Sequence, residues 1–309
     1  MAKDGIDLAK VLTNRVCKRW KKLTHTSSLW RKVDLHPYSL KLRHLWKLLR
    51  TYFTSSLVQL NLRGFVKKFQ NKPSYATPVI STAFLQSLSH RCPNLKCFTL
   101  NECYIYNNEV GVKLSDFPKS IETLAFTSST FSNTHDWFVD KSYSKKILPN
   151  LRSLDVSETN FPPYAFNQIP RLFPHLETLI LQRCLRVTND TLHRMFDSLE
   201  YILVLNIKKV RADNETMLII SQHCRRLKEL YISSPQVTDD GLEYMKKDKL
   251  PDLRILDLSG CSITNSGIQV LVANKLQINE LVLKSTEVTN EGLEFIKDSY
   301  MSSKVQVTI

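Results

Sequence analysis

LRILDLSGCSITNSGI, residues 253–268, holds nearly one full unit of the pattern on which most of this chain is built. Leu253, Leu256 and Leu258 set an apolar L-x-x-L-x-L beat, Cys261 stands at its ninth position, and Ile263-Thr264-Asn265 leads on to Gly267-Ile268. The short apolar beat reads as a strand, and the Thr-Asn step before an apolar run reads as a helix start. Working outward, the hexamer begins at Leu57, Leu95, Ile121, Leu151, Leu176, Ile202, Leu227, Leu253 and Ile278, with Ile, Val or Phe substituting. From Leu151 the steps are 25, 26, 25, 26 and 25 residues, after earlier steps of 38, 26 and 30. Five successive steps within one residue exclude chance, and the irregular early steps predict insertions in the first repeats.

A unit of this length that pairs one strand with one returning helix buries its apolar side only by stacking on its neighbours. The spacing therefore predicts an α/β leucine-rich-repeat solenoid of about nine to ten repeats over 57–309. The return segments VTNDTL, VTDDGL, ITNSGI and VTNEGL begin at Val187, Val237, Ile263 and Val288, each offering a Thr, Asn or Asp helix cap. CPNL, LPNL, FPHL and LPDL place a proline before the next strand, where it stops a helix. The ninth position is small and polar in Cys103, Ser129, Thr159, Cys184, Cys261 and Thr286, suited to backbone left without partners where the strand ends. With C-x-x-[VI]-T-[ND] at residues 184–192, and one residue fewer between Cys and Thr at 261–268, the pattern resembles the cysteine-containing leucine-rich-repeat class. That resemblance implies a right-handed horseshoe with a parallel sheet on its concave face. Cys103, Cys184 and Cys261 fall three repeats apart, roughly 14 Å at ~4.8 Å per strand, beyond a disulfide or a shared metal. Cys92 and Cys224 read as buried residues at helix ends.

The chain has 309 residues, with 42% hydrophobic and 23% charged, which is ordinary globular composition. It has no run approaching the ~18 apolar residues of a membrane span. Seven glycines and no GxGxxG, GxxxxGK[ST] or GxSxG leave no phosphate loop or nucleophile elbow, and the eight histidines form no HExxH. No catalytic residue, metal or cofactor is nominated. Seven cysteines without a CxxC pair, and an N-terminus without an apolar signal region, predict a reduced protein of the cytoplasm or nucleus. The formal charge of +14 lies entirely in residues 1–72, which hold 17 Lys and Arg against Asp4, Asp7 and Asp34. KVQVTI at the end of the chain reads as a tenth strand, with Val305, Val307 and Ile309 on an exposed edge.

Residues 1–56 lack the hexamer. RVCKRWKKL, followed by SSLWRKVDL, resembles the second half of an F-box, and joined to the repeats it resembles the F-box and leucine-rich-repeat family. The Leu-Pro opening of that motif is not found, so the F-box looks N-terminally incomplete. The resemblance implies a helical adaptor-docking module over 1–36, with Val16, Trp20, Leu23, Leu29 and Trp30 facing a Skp adaptor and, through it, a cullin–RING ligase. Leu42, Leu45, Trp46, Leu49 and Phe53 predict an amphipathic linking or capping helix within 37–56.

Function is expected on the concave face, at strand positions three and five: Thr178 and Ile180, Glu229 and Tyr231, Ile255 and Asp257, Glu280 and Val282. Tyr231, aromatic among charges, is the best single anchor. The leading expectation is a non-catalytic substrate receptor of a ubiquitin ligase that holds a protein target and promotes its degradation. Two alternatives stay open: an adaptor-free binding scaffold, and nucleic-acid binding through the basic segment.

Overall fold

The computed structural model describes residues 25–64, 80–105, 111–132, 137–138, 147–196, 198–297 and 306–308. Val16, Trp20 and Leu23 lie outside them. The chain packs as two compact units, one of Met1–Asn133 with Ile147–Asn150, the other of Thr134–Lys146 with Leu151–Ile309. No helix among the described residues is long and apolar enough to cross a membrane.

The first unit runs β1 (Lys32–Ser39), α1 (Leu42–Thr51), β2 (Gln59–Arg63), α2 (Thr82–Arg91), β3 (Cys97–Asn101), β4 (Tyr104–Ile105), β5 (Thr123–Ala125) and β6 (Thr130–Phe131). β1, β2, β3 and β5 pair side by side in parallel, and β4 pairs with β6. Val33, Leu60, Phe98 and Leu124 are register partners across the four strands, all buried.

That register corrects the sequence reading of residues 30–56. Val33 aligns with the fourth position of the next hexamer, so Trp30-x-x-Val33-x-Leu35 is itself a hexamer with tryptophan in the first leucine's place. The backbone agrees: Val58 N–H and Gln59 N–H both donate to Arg31 O, as Lys96 N–H and Cys97 N–H do to Val58 O one repeat later. The array starts one strand earlier than Leu57, and the boundary expected at residue 36 falls inside β1. α1 is then a return helix, burying Leu45, Leu48 and Leu49. Trp30 is only 3% exposed and stacks on Tyr52 with ring centroids 4.4 Å apart. It therefore belongs to the core and offers no face to an adaptor, whereas Leu29 beside it is 45% exposed.

The second unit continues with β7 (Ser153–Asp155), α3 (Pro163–Phe166), α4 (Ile169–Leu172), β8 (Thr178–Ile180), α5 (Asn189–Phe196), β9 (Val204–Lys208), α6 (Asn214–His223), β10 (Glu229–Ser233), α7 (Asp239–Leu242), β11 (Ile255–Asp257), α8 (Asn265–Ala273), β12 (Glu280–Val282), α9 (Asn290–Lys297) and β13 (Gln306–Thr308). β7 to β13 pair in chain order, all parallel. Leu154, Leu179, Leu205, Leu230, Leu256 and Leu281 are register partners, each 0% exposed. Burying each side chain fully is worth about 2 kcal/mol, the main reason a 25-residue unit holds against its neighbour. β13 pairs with β12 as expected, leaving Gln306 exposed; Val305 and Ile309 lie outside the described residues.

Two regularities govern how each repeat turns. The eighth position takes a left-handed backbone in Glu102, Ser128, Glu158, Arg183, Lys209, Gly260 and Ser285, with φ between 49° and 72°. There the N–H turns to the next repeat's carbonyl, as in Glu158 to Gln182 O at 2.9 Å, Arg183 to Lys208 O at 2.9 Å and Gly260 to Lys284 O at 2.8 Å. Only Gly260 suits that conformation without strain, which costs other residues roughly 1–2 kcal/mol. Ser285→Gly is therefore expected to raise stability by up to about 1 kcal/mol, after the added freedom of the unfolded glycine is subtracted. Equal or lower stability in urea denaturation would refute that.

The second regularity is a set of polar rungs at the helix starts. Asn189 Nδ2 donates to Asp213 Oδ2, and Asn214 Nδ2 to Thr238 Oγ1 at 2.8 Å. Asp239 accepts from Thr264 N–H at 2.9 Å and Thr264 Oγ1–H at 2.6 Å, and Asn265 Nδ2 donates to Thr289 Oγ1 at 2.9 Å. The first helical residue of one repeat thus holds the capping residue of the next. The rung explains the glycine of T-[ND]-x-G: a Cβ on Gly241, Gly267 or Gly292 would come within 2.7, 2.2 and 2.3 Å of the preceding repeat's Asn or Asp oxygen.

Candidate functional site

Strand alternation turns positions three, five and seven of each repeat away from the leucine core. On β10, β11 and β12 this makes a two-by-three grid by register: Glu229, Ile255 and Glu280 in one row, Tyr231, Asp257 and Val282 in the next. All six are residues expected from the sequence; Asp257 is buried and the other five are half-buried. Thr178 and Ile180 occupy the same two rows on β8, two strands away, beyond Val204 and Asn206 of β9.

Tyr231 sits at the grid's corner with its hydroxyl donating to Glu229 Oε2 at 2.8 Å. Burial, that hydrogen bond and the negative charge of Glu229, Glu280 and Asp257 push its phenol up to about 12, so it stays a protonated donor. The sequence reading missed Lys208. From position seven of β9 it reaches across β10, places its ammonium 5.9 Å from the Tyr231 ring centroid and pairs with Asp257 Oδ2. Asp257 is 5% exposed, and its other oxygen accepts from Ser259 N–H at 3.0 Å and from Ser259 Oγ–H. Asp155, at the same fifth position on β7, makes the same turn with Ser157, its N–H 2.8 Å away. Burial raises the Asp155 carboxyl and outweighs the Ser157 bonds that lower it. The signal for Lys208 was present, since position seven shares the strand parity of three and five.

The grid offers a donor phenol, carboxylates, one tethered ammonium and aliphatic side chains. The ninth-position side chains point inward and close the repeats. Thr159 Oγ1–H donates to Val156 O at 2.7 Å, Thr286 Oγ1–H to Leu283 O at 2.7 Å and Cys184 Sγ–H to Val156 O at 3.1 Å. The Leucine Rich repeat family model matches residues 249–272.

The fold is that of a leucine-rich-repeat protein.

Over 259 residues, 82% of this chain and 74% of theirs, the sequence is 28% identical to F-box/LRR-repeat protein 12 of Mus musculus and of Homo sapiens. Among solved structures, the mouse RP105/MD-1 complex superposes with a TM-score of 0.50 at 17% identity, over 84% of this chain and 39% of that one. That likeness supports the leucine-rich-repeat fold alone.

The leucine-rich-repeat cysteines are structural thiols. Burial pushes Cys92, Cys103, Cys184 and Cys224 up to about 12 and Cys261 to about 11, so their thiolate fraction near pH 8 is minute. At pH 8 iodoacetamide is expected to alkylate Cys261 on the order of a hundredfold, and the other four on the order of a thousandfold, more slowly than in denaturant. Peptide mass mapping against Cys97, which is only half-buried, checks this; rapid labelling of Cys184 in the native protein would refute it.

His193, Asp213 and Glu215 bring three potential metal ligands within 4.8 Å of one another. Asp213 Oδ1 already accepts from Thr216 N–H at 2.8 Å and Thr216 Oγ1–H at 2.9 Å, and Oδ2 from Asn189. Those bonds commit it to capping α6, and the group is explained without a cation.

Proposed function

We propose that this leucine-rich-repeat protein is the substrate-recognition subunit of a Skp–cullin–F-box type ubiquitin ligase. The observation that carries the proposal is the similarity to F-box/LRR-repeat protein 12 over 82% of the chain, together with the half F-box motif at 15–23 and 27–35. A target protein would rest on the Glu229–Val282 grid, with Tyr231 as its anchor. The chain would carry out no bond chemistry; it would act by holding target lysines near a charged conjugating enzyme, converting an encounter into a local reaction. Such a role places it in the cytoplasm or nucleus, which imaging of a tagged full chain would test.

The decisive experiment is co-purification of the full chain with recombinant Skp adaptor, beside Trp20→Ala and Leu29→Ala variants. Trp30→Ala is a poor probe, because losing the stack on Tyr52 would empty the core of the first repeat. A 1:1 complex weakened in the variants supports ligase membership. A folded chain that takes up no adaptor would overturn it and leave a leucine-rich-repeat protein that binds partners without recruiting a ligase.

A further inference from the structure

On the second unit, the loops that leave β8 and β9 form an exposed patch unlike the sheet face. After β8 the chain turns Arg183 outward, Cys184 inward, Leu185 and Arg186 outward and Val187 inward. After β9, Lys209 points out, Val210 in, Arg211 out and Ala212 in. The bond from Arg183 N–H to Lys208 O at 2.9 Å lays the two loops side by side, about 5 Å apart. Leu185 is 75% exposed, more than any other large hydrophobic side chain among the described residues.

Four exposed cations share these two adjacent loops with that leucine. Arg183 is paired with Glu158 at 3.1 Å, and Arg186 Nη1 donates to Asn160 O at 3.2 Å, both on the preceding repeat. Lys209 and Arg211 are exposed. Of the nearby acids, Asp190 pairs with Arg194, Asp213 caps α6, and Glu215 lies 3.9 Å from His193 Nδ1. On the far side the following loops carry Pro235, Gln236 and Ser262 without charge. Arg183 and Lys209 also hold φ of 56° and 57° at the position where a later repeat has Gly260. That turn is common to the array, and in these two repeats it carries exposed cations.

We infer that these two loops dock a partner protein through an acidic surface with a small apolar hollow that receives Leu185. The chemistry favours protein over nucleic acid, because no aromatic side chain stands on either loop to stack a base. A lone leucine gives too little apolar area for stable membrane anchoring. The inference does not depend on ligase membership, and the surface is separate from the Tyr231 grid.

The test is selection of a random dodecapeptide phage library on the immobilised full chain, with counter-selection on an Arg186→Glu/Arg211→Glu/Leu185→Ser variant. All three residues are exposed, so the variant should fold; its circular dichroism and melting temperature are checked first. The expected clones carry several Asp or Glu around at least one aliphatic or aromatic residue. They should bind the variant about tenfold or more weakly, weaken as salt rises, and be unaffected by Glu229→Gln/Glu280→Gln on the sheet face. No acidic enrichment, or equal binding to the variant, overturns the inference. So does tighter variant-sensitive binding of a 20-nucleotide single strand or of phosphatidylserine vesicles, since the surface would then serve another class of ligand.

Discussion

Gly267→Ala is expected to destabilise the protein by about 3 kcal/mol, although glycine to alanine inside a helix ordinarily gains up to about 1 kcal/mol. The sign is decided by space. The new methyl carbon would lie 2.2 Å from Asp239 Oδ1 and 2.9 Å from Ile263 Cγ2. Relieving such overpacking costs roughly 1–3 kcal/mol. Moving Asp239 also takes away the acceptor of two hydrogen bonds that Thr264 donates, each worth about 1 kcal/mol. Urea denaturation followed by circular dichroism reads the loss. In an Asp239→Ala background only the tight contact with Ile263 Cγ2 remains, so Gly267→Ala should then cost at least 1 kcal/mol less. If the two substitutions simply add, the rung is not what excludes a side chain at this position.

Lys208→Met should cost nearly as much, roughly 2–3 kcal/mol, for an electrostatic reason. It leaves the Asp257 side chain 5% exposed and without its partner, and breaking a buried pair from one side is far costlier than the pair is worth. Lys208 itself is about a quarter exposed, so water relieves part of the penalty and the estimate stays at the lower end. Asp257→Asn keeps an oxygen for Ser259 and removes the charge, so Lys208→Met/Asp257→Asn should recover most of the loss. A double variant no better than Lys208→Met would show that the lysine acts through its aliphatic contacts with Tyr231 instead. Both lesions lie under the proposed target surface, and their effect on stability must be measured before any effect on binding is interpreted.

The repeat beat was legible because leucine recurs at positions where only burial explains it, and the strand rows at three and five followed from alternation. Trp30 escaped because tryptophan replaces the expected leucine and the hexamer it opens lies inside a motif with another family meaning. The eighth-position turn was invisible since one glycine, Gly260, marks a conformation that six other residues adopt without a common chemistry. Cys184 and Cys261 were placed correctly as closing groups, while the glycine of T-[ND]-x-G had no assigned role. Its reason lies one repeat upstream, in an Asn or Asp that only stacking brings within reach. The parity of position seven marked Lys208 as a residue of that face, but its pairing with Asp257, 49 residues away and two strands across, is a relation no local pattern encodes.

The rungs have a polarity. Asn189 serves Asp213, Asn214 serves Thr238, Asp239 serves Thr264 and Asn265 serves Thr289, always from the earlier repeat to the later. A segment leaving the ribosome therefore meets a template that already offers the group its own first turn needs, and its arrival supplies the carbonyls that the upstream eighth-position N–H groups await. Growth from the amino end is stepwise and self-seeding, while removal of the last segment leaves the rung contacts within the remainder intact. Interruption of synthesis should thus yield shorter ordered arrays in preference to a collapsed chain.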